Sequence, residues 1–169
     1  EEILRKSGYK TGLYISPHLI NINERIKINY KDILEEVLYG YLKEIDSIIQ
    51  NNSLTYPTYF DILTAAAFKY FSDESVDIAV IETGLGGKLD STNVILPEIS
   101  IITDISLDHA HILGDTIEKI TEEKCGIIKP NRPVITSNSN KSVTEIIEKY
   151  SGITRSDLYI YNRNYYAAN

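Results

Sequence analysis

The sequence holds no methionine and no tryptophan, only three phenylalanines and a single cysteine among 169 residues. One cysteine, Cys125, cannot close a disulfide within the chain. That excludes a small disulfide-stapled scaffold and fits a reducing compartment, so a cytoplasmic protein is expected. No apolar run approaches the roughly 20 residues of a membrane-spanning helix, and no signal peptide is visible, so no membrane partner is expected. Positive charge is in the minority: 17 Lys and Arg stand against 24 Asp and Glu, a formal net charge of −7. That argues against nucleic acid as a non-specific partner, which needs a basic face. Two phosphate-binding signatures are also missing, the GxGxxG dinucleotide fingerprint and GxxxxGK[ST]. Without methionine there is no initiator, and the opening EEILRKSGYK reads as the last turns of a helix closing at Gly8, with Ile3 and Leu4 facing inward. These features lead us to expect a chain cut from something longer.

What is present is an ordinary soluble composition with room for one real core. Tyr9–Ile15 reads as a strand, broken by Ser16-Pro17-His18. Residues 21–29 read as a polar connection with a short apolar alternation at Ile22, Ile26 and Ile28. Helical spacing of apolar residues predicts helices over 32–50 and from about 57 to 71. Ser75–Glu82 is a near-continuous apolar run, the pattern of a strand covered on both faces. Strands at 99–103, 133–136 and 158–161 alternate with helices at 115–124 and 142–150, the first opened by Asp115 and Glu118 at capping-box spacing. Alternation of this kind predicts an α/β fold with a doubly wound, mostly parallel sheet and no internal linker.

The stretch VIETGLGGKLDSTN, residues 80–93, carries the most chemistry. A strand ends in a carboxylate, Glu82, and opens into Gly84, Gly86 and Gly87, then Asp90, Thr92 and Asn93. Open α/β sheets bind ligands at that carboxyl edge. Glu82 could be a metal ligand, a catalytic acid, or an acid that only caps a turn. Asp108 and His109 follow the strand at 99–103, again past a carboxyl end, and could converge on a divalent cation; a histidine bonding a turn is the plainer reading, and His111 ranks second as a ligand. Ile117, Ile120, Lys124 and Ile127 fall at helical spacing, which puts a lysine on the stripe that faces the core. A buried ammonium is costly unless paired. Lys124 therefore either snorkels, pairs with Glu82 or Asp108, or belongs to an active site. Cys125 reads as a small packed hydrophobe. Ser16, Pro17 and His18, with Glu24 and Arg25, form a polar loop that suits a substrate or an ordinary surface equally.

Three ordered motifs carry a resemblance. They are IETGLGGKLDSTNVI (81–95), GLYISPHL with ERIKIN (12–29), and LDHAHILGDTIEKITEEKCGIIKP (107–130). On these the chain resembles the folylpolyglutamate synthase/dihydrofolate synthase family of the Mur-ligase superfamily over nearly all its length. The resemblance implies the central part of a P-loop NTPase-like ATP-binding domain, truncated at both ends. It implies ATP and Mg²⁺, with a monovalent cation such as K⁺ as a further candidate. It also implies a folate or pteroate substrate, L-glutamate as the amine, and a monomer when full length. In such a ligase a carboxylate is phosphorylated by ATP, and glutamate attacks the acyl phosphate. Carried over to matching positions, Glu82 and His109 are expected Mg²⁺ ligands and Lys124 a carbamylated lysine. Ser16, Pro17, His18 and Arg25 fall on the substrate side. Gly84, Gly86, Gly87, Asp90, Thr92, Asn93 and Asp108 belong to the nucleotide loop or support it. Departures are Lys88 where the family usually has Arg, Ser91 and Cys125 for Ala, and Asp61 for Glu. The family's GTxGK[ST] loop, which should precede Glu1, and its carboxyl-terminal domain are not in the sequence, so this chain alone is expected to be inactive. Two rival readings are a non-catalytic remnant or binding module, and another Mur-type amide ligase.

Overall fold

A computed structural model describes residues 1–108 and 110–166. The chain divides into two compact units, Glu1–Gly84 and Leu85–Asn169, parted inside the glycine-rich loop.

The first unit begins with α1 (Glu2–Lys6), closed past Ser7 by Gly8 at φ 95°. Ile3 is 82% exposed and no residue of α1 is buried, contrary to the inward face expected for it. β1 (Thr11–Tyr14) leads to a 3₁₀ turn (Ile22–Arg25), then β2 (Ile26–Ile28) and β3 (Lys31–Asp32). Residues 26–32 are thus a hairpin, where the sequence suggested a mere connection. Its two-residue turn, Asn29-Tyr30, has φ of 49° and 66°. Such turns ordinarily carry Asn-Gly, and a tyrosine in the left-handed region hides the signal. α2 (Glu35–Asn51) and α3 (Tyr59–Asp73) pack against each other. The start of α3 is fixed by a capping box: Thr58 Oγ1 accepts from the Asp61 amide at 3.2 Å, and Asp61 accepts from the Thr58 amide at 2.8 Å. β4 (Ile78–Ile81) completes a sheet of order β3-β2-β1-β4, parallel only between β1 and β4, with Leu13 opposite Val80. β4 lies at the edge of that sheet and is half-buried, not covered on both faces. The core gathers Tyr14, Ile26, Ile33, Leu63, Ala66 and Ala67. The Tyr14 hydroxyl lies 3.1 Å from Thr64 Oγ1, so its burial leaves no polar orphan.

The second unit is parallel throughout. β5 (Ser100–Ile102), β6 (Val134–Thr136) and β7 (Leu158–Ile160) lie side by side in that order. Between them run α4 (Ala110–Leu113), α5 (Ile117–Cys125) and α6 (Lys141–Thr154). Ile102, Ile120, Val134, Val143 and Ile147 form the core. The cap of α5 is Thr116, which accepts from the Lys119 amide, while Asp115 pairs with Lys119 at 2.7 Å. Asp115 and Glu118 are therefore not its capping box: the helix starts one residue later, where a hydroxyl was available. The expected α/β class and parallel pairing stand, but the strands form two sheets, one per unit.

Candidate functional site

In the first unit the carboxyl ends of β1 and β4 lie side by side, because the two strands run parallel in register. Each then opens into a loop that carries polar side chains. One hydrogen bond ties the loops together: the Ser16 amide donates to Glu82 Oε2 at 2.7 Å. The pairing continues in the backbone, where the Glu82 amide donates to the Tyr14 carbonyl at 2.9 Å. Beyond Glu82, a Cβ on Gly84 would sit 2.5 Å from the Phe60 ring, so only glycine lets this loop pass α3.

The loop after β1 starts with a cis Ser16-Pro17 bond. It is held from within by Glu24. That carboxylate accepts from the amides of Leu19 (2.8 Å), Ile20 (3.0 Å) and Asn21 (2.7 Å). These bonds, Leu19 foremost, hold its pKa below the ordinary glutamate value. Leu19 and Ile20 are 93% and 92% exposed, so the loop presents two apolar side chains on a polar frame. Arg25 Nε donates to His18 Nδ1 at 2.9 Å, and the same guanidinium lies over the Tyr59 ring, 5.7 Å from its centroid.

In the second unit the rest of the glycine loop rests on the last turn of α5. A Cβ on Gly87 would lie 2.8 Å from the Glu123 carbonyl and 3.0 Å from that of Lys124. One on Gly126 would lie 2.4 Å from Lys88 Cα. The Lys88 amide donates to the Glu123 carbonyl at 2.9 Å. Asn93 Nδ2 donates to the carbonyls of Lys88 (3.0 Å) and Gly126 (3.1 Å). Lys129 Nζ donates to the Asn93 carbonyl at 2.8 Å. Asp90 faces inward on the loop: Oδ2 accepts from the Leu85 amide at 2.8 Å, and Oδ1 from the Thr92 amide at 2.9 Å and from its hydroxyl. Thr92 is buried beside it.

Lys124 stands on that last turn of α5 and is half-buried. The buried face of the helix is Ile120, Thr121 and Cys125, so Lys124 borders the inward stripe rather than lying in it. Thr121 and Cys125, small and weakly apolar, rotate the stripe away from the line the isoleucines suggested. A cation near a helix carboxyl end is favoured by the helix dipole. Cys125 is buried, and its thiol is pushed up to about 12, by burial first and then by Glu122. It is a packing group. Asp108 and His111 are exposed, the latter on α4. His109 lies outside the described residues.

Thus Ser16, Pro17, His18, Arg25 and Glu82 share one sheet edge of the first unit, and Gly86, Gly87, Asp90, Thr92, Asn93 and Lys124 share one corner of the second. Among the described residues no three His, Cys, Asp or Glu side chains gather as a metal-binding group. Glu82 nevertheless fits magnesium by its chemistry: it is an exposed, hard oxygen donor with one of its two oxygens held by the Ser16 amide. Magnesium commonly takes one or two carboxylates and fills its octahedron with water and phosphate oxygens. Sequence reasoning undervalued Glu24 and missed Tyr59. The signal for Glu24 was Asn21 three residues before it, a capping-box spacing.

The chain matches the Mur ligase middle domain over residues 26–166. It is 44% identical to a folylpolyglutamate synthase of Arabidopsis thaliana over 153 residues, which are 88% of this chain and 24% of that protein. It is 41% identical to a dihydrofolate synthase/folylpolyglutamate synthase of Bacillus subtilis (strain 168) over 149 residues, 86% of this chain and 35% of that protein. A solved folylpolyglutamate synthase complex with AMPPCP and folate superposes with a TM-score of 0.92 at 35% identity, covering 99% of this chain and 42% of the other. The chain therefore spans between about a quarter and two fifths of the proteins it matches.

Proposed function

Because the chain belongs to the Mur ligase family through that middle domain, we propose that it is the central segment of an ATP-dependent ligase joining L-glutamate to a pteroate or folate carboxylate. The observation that carries this reading is the bond from the Ser16 amide to Glu82, which clamps two polar loops at the carboxyl edge of a parallel strand pair. Similarity to folylpolyglutamate synthases, one of them solved with a nucleotide analogue and folate, supports the substrate class.

In the proposed reaction a substrate carboxylate oxygen attacks the γ-phosphorus of ATP, and ADP leaves. The glutamate amine then attacks the acyl carbon. The C–N bond forms, the C–O bond to phosphate breaks, and the amine gives up its proton. Glu82 would hold Mg²⁺, which when bound neutralises charge on the transferring phosphoryl group. Glu82 also holds Ser16 in place, so the acid that would meet the metal also orients the substrate loop. Ser16, Pro17 and His18 face the acid substrate, Arg25 stands behind His18 on the same substrate side, and Leu19 and Ile20 offer apolar surface to its ring system. Asp90, Thr92 and Asn93 keep the glycine loop seated on α5. Lys124 is assigned to carbamylation. A carbamate is an anion at a helix carboxyl end, where the dipole disfavours it, so the modification requires a cation beside it. A monovalent cation such as K⁺, a monomeric full-length ligase and a cytoplasmic location complete the proposal.

The test is turnover by the ligase that contains this chain, supplied with dihydropteroate or tetrahydrofolate, ATP and glutamate. Glutamylated product and stoichiometric phosphate are expected, and turnover with UDP-sugar peptides alone would refute the folate assignment. The 169 residues contain no GTxGK[ST] loop, so the chain by itself is expected to release no phosphate from ATP.

A further inference from the structure

We propose that Arg25 is a positioning residue: it fixes the tautomer of His18 so that the imidazole offers the substrate a neutral Nε2–H donor. This rests on the functional reading above for what His18 meets, but not for the tautomer itself.

Arginine carries five N–H donors and no acceptor. The 2.9 Å bond from Arg25 Nε therefore requires a lone pair on His18 Nδ1. A neutral imidazole with its lone pair on Nδ1 carries its proton on Nε2. The doubly protonated ring would set N–H against N–H and lose the bond. Arg25 is itself held on three sides. Its guanidinium lies over the Tyr59 ring, its carbonyl accepts from the Ile15 amide at 3.0 Å, and it closes the 3₁₀ turn that Glu24 ties to Leu19, Ile20 and Asn21. Loop and arginine are thus fixed before any ligand arrives. The chemical consequence is specific. An imidazolium would offer two N–H donors; the neutral ring held this way offers one, on Nε2, which a carbonyl, ring nitrogen or carboxylate oxygen of the acid substrate must meet by position.

Long-range ¹H–¹⁵N correlation of the histidine rings in this chain at pH 8, with His18 assigned by loss of its signals in His18→Gln, reads the tautomer directly. The Nε2–H form is expected to dominate, and Arg25→Ala to shift it toward the mixture of a free imidazole. An Nδ1–H or doubly protonated His18, or an unchanged spectrum in Arg25→Ala, overturns the proposal. The unaltered chain alone decides the first point, so a variant that fails to fold does not block the test. In the parent ligase, Arg25→Ala should raise KM for the pteroate-type substrate about 3–10-fold with kcat nearly unchanged. The double variant with His18→Gln should be no worse than His18→Gln alone; additive losses overturn the claim that Arg25 acts through His18. Absence of ligase activity would count against the functional reading and leave the tautomer result standing.

Discussion

Replacing Gly126 with alanine pushes a methyl group into the backbone of the glycine loop. The new Cβ would lie 2.4 Å from both Lys88 Cα and Cβ and 2.8 Å from the Lys88 nitrogen. Non-bonded carbons are comfortable at about 3.5–4.0 Å, so the loop and the end of α5 must part by roughly 1 Å. No flexible side-chain tip can absorb this, because the obstacle is main chain. Parting them stretches the Lys88 amide bond to the Glu123 carbonyl, now 2.9 Å, and the Asn93 bond to the Gly126 carbonyl, now 3.1 Å. Overpacking of this kind costs about 1–3 kcal/mol, and each neutral hydrogen bond lost about 1 kcal/mol. The chain takes the cheaper mixture, so we expect a loss of about 2 kcal/mol, or a fall of about 6 °C in Tm for a chain of this size. Gly40 and Gly152 are the controls. Both sit in helices, in α2 and α6, with nothing within 4 Å of an added Cβ. Alanine there should raise stability by about 0.5–1 kcal/mol through the unfolded chain. Thermal unfolding followed by far-ultraviolet circular dichroism compares the three variants. If Gly126→Ala melts with the unaltered chain or with the controls, the loop is not seated on α5 as described.

Three further outcomes follow from single contacts. Cys125, buried with its thiol pushed up to about 12, should resist iodoacetamide at pH 8 in the native chain and react at once when guanidinium unfolds it; rapid native labelling would contradict its burial. Glu24 has a folded pKa below the ordinary 4.5, so its contribution is fully present above that value and fades as pH falls through the lower folded one. The amide resonances of Leu19, Ile20 and Asn21 should therefore move together below pH 4.5, and a midpoint above it would refute the clamp. Asp90→Ala removes the acceptor for two amides and a hydroxyl, and should cost about 1–3 kcal/mol in urea unfolding; Asp90→Asn, which keeps one acceptor oxygen, should cost less.

What could be read from the sequence was whatever a side chain announces by its own chemistry at a regular period. α2 and α3 were legible because their apolar residues recur at helical spacing along a real buried face. The hairpin was not, because its turn depends on Tyr30 adopting a conformation tyrosine rarely takes. Lys124 borders the buried stripe rather than lying in it, because a stripe counted from isoleucines ignores Thr121 and Cys125, which are fully buried.

The motif residues pose a different problem. Glu82 and Asp90 are both acids in one glycine-rich stretch, and both bond backbone amides, which carry no letter in a sequence. Only their bonding separates them. Asp90 accepts with both oxygens from Leu85 and Thr92, its own loop. Glu82 accepts with one oxygen from Ser16, sixty-six residues away, and keeps its place at the exposed end of β4. A carboxylate that accepts three bonds from its own loop cannot turn toward a cation without giving up bonds that hold the loop. One held at a single oxygen can still coordinate, and the amide that holds it narrows the directions it can point. On that physical ground, rather than on position in a motif, Asp90 is the acid that makes the loop, and Glu82 the one that keeps an oxygen to spare.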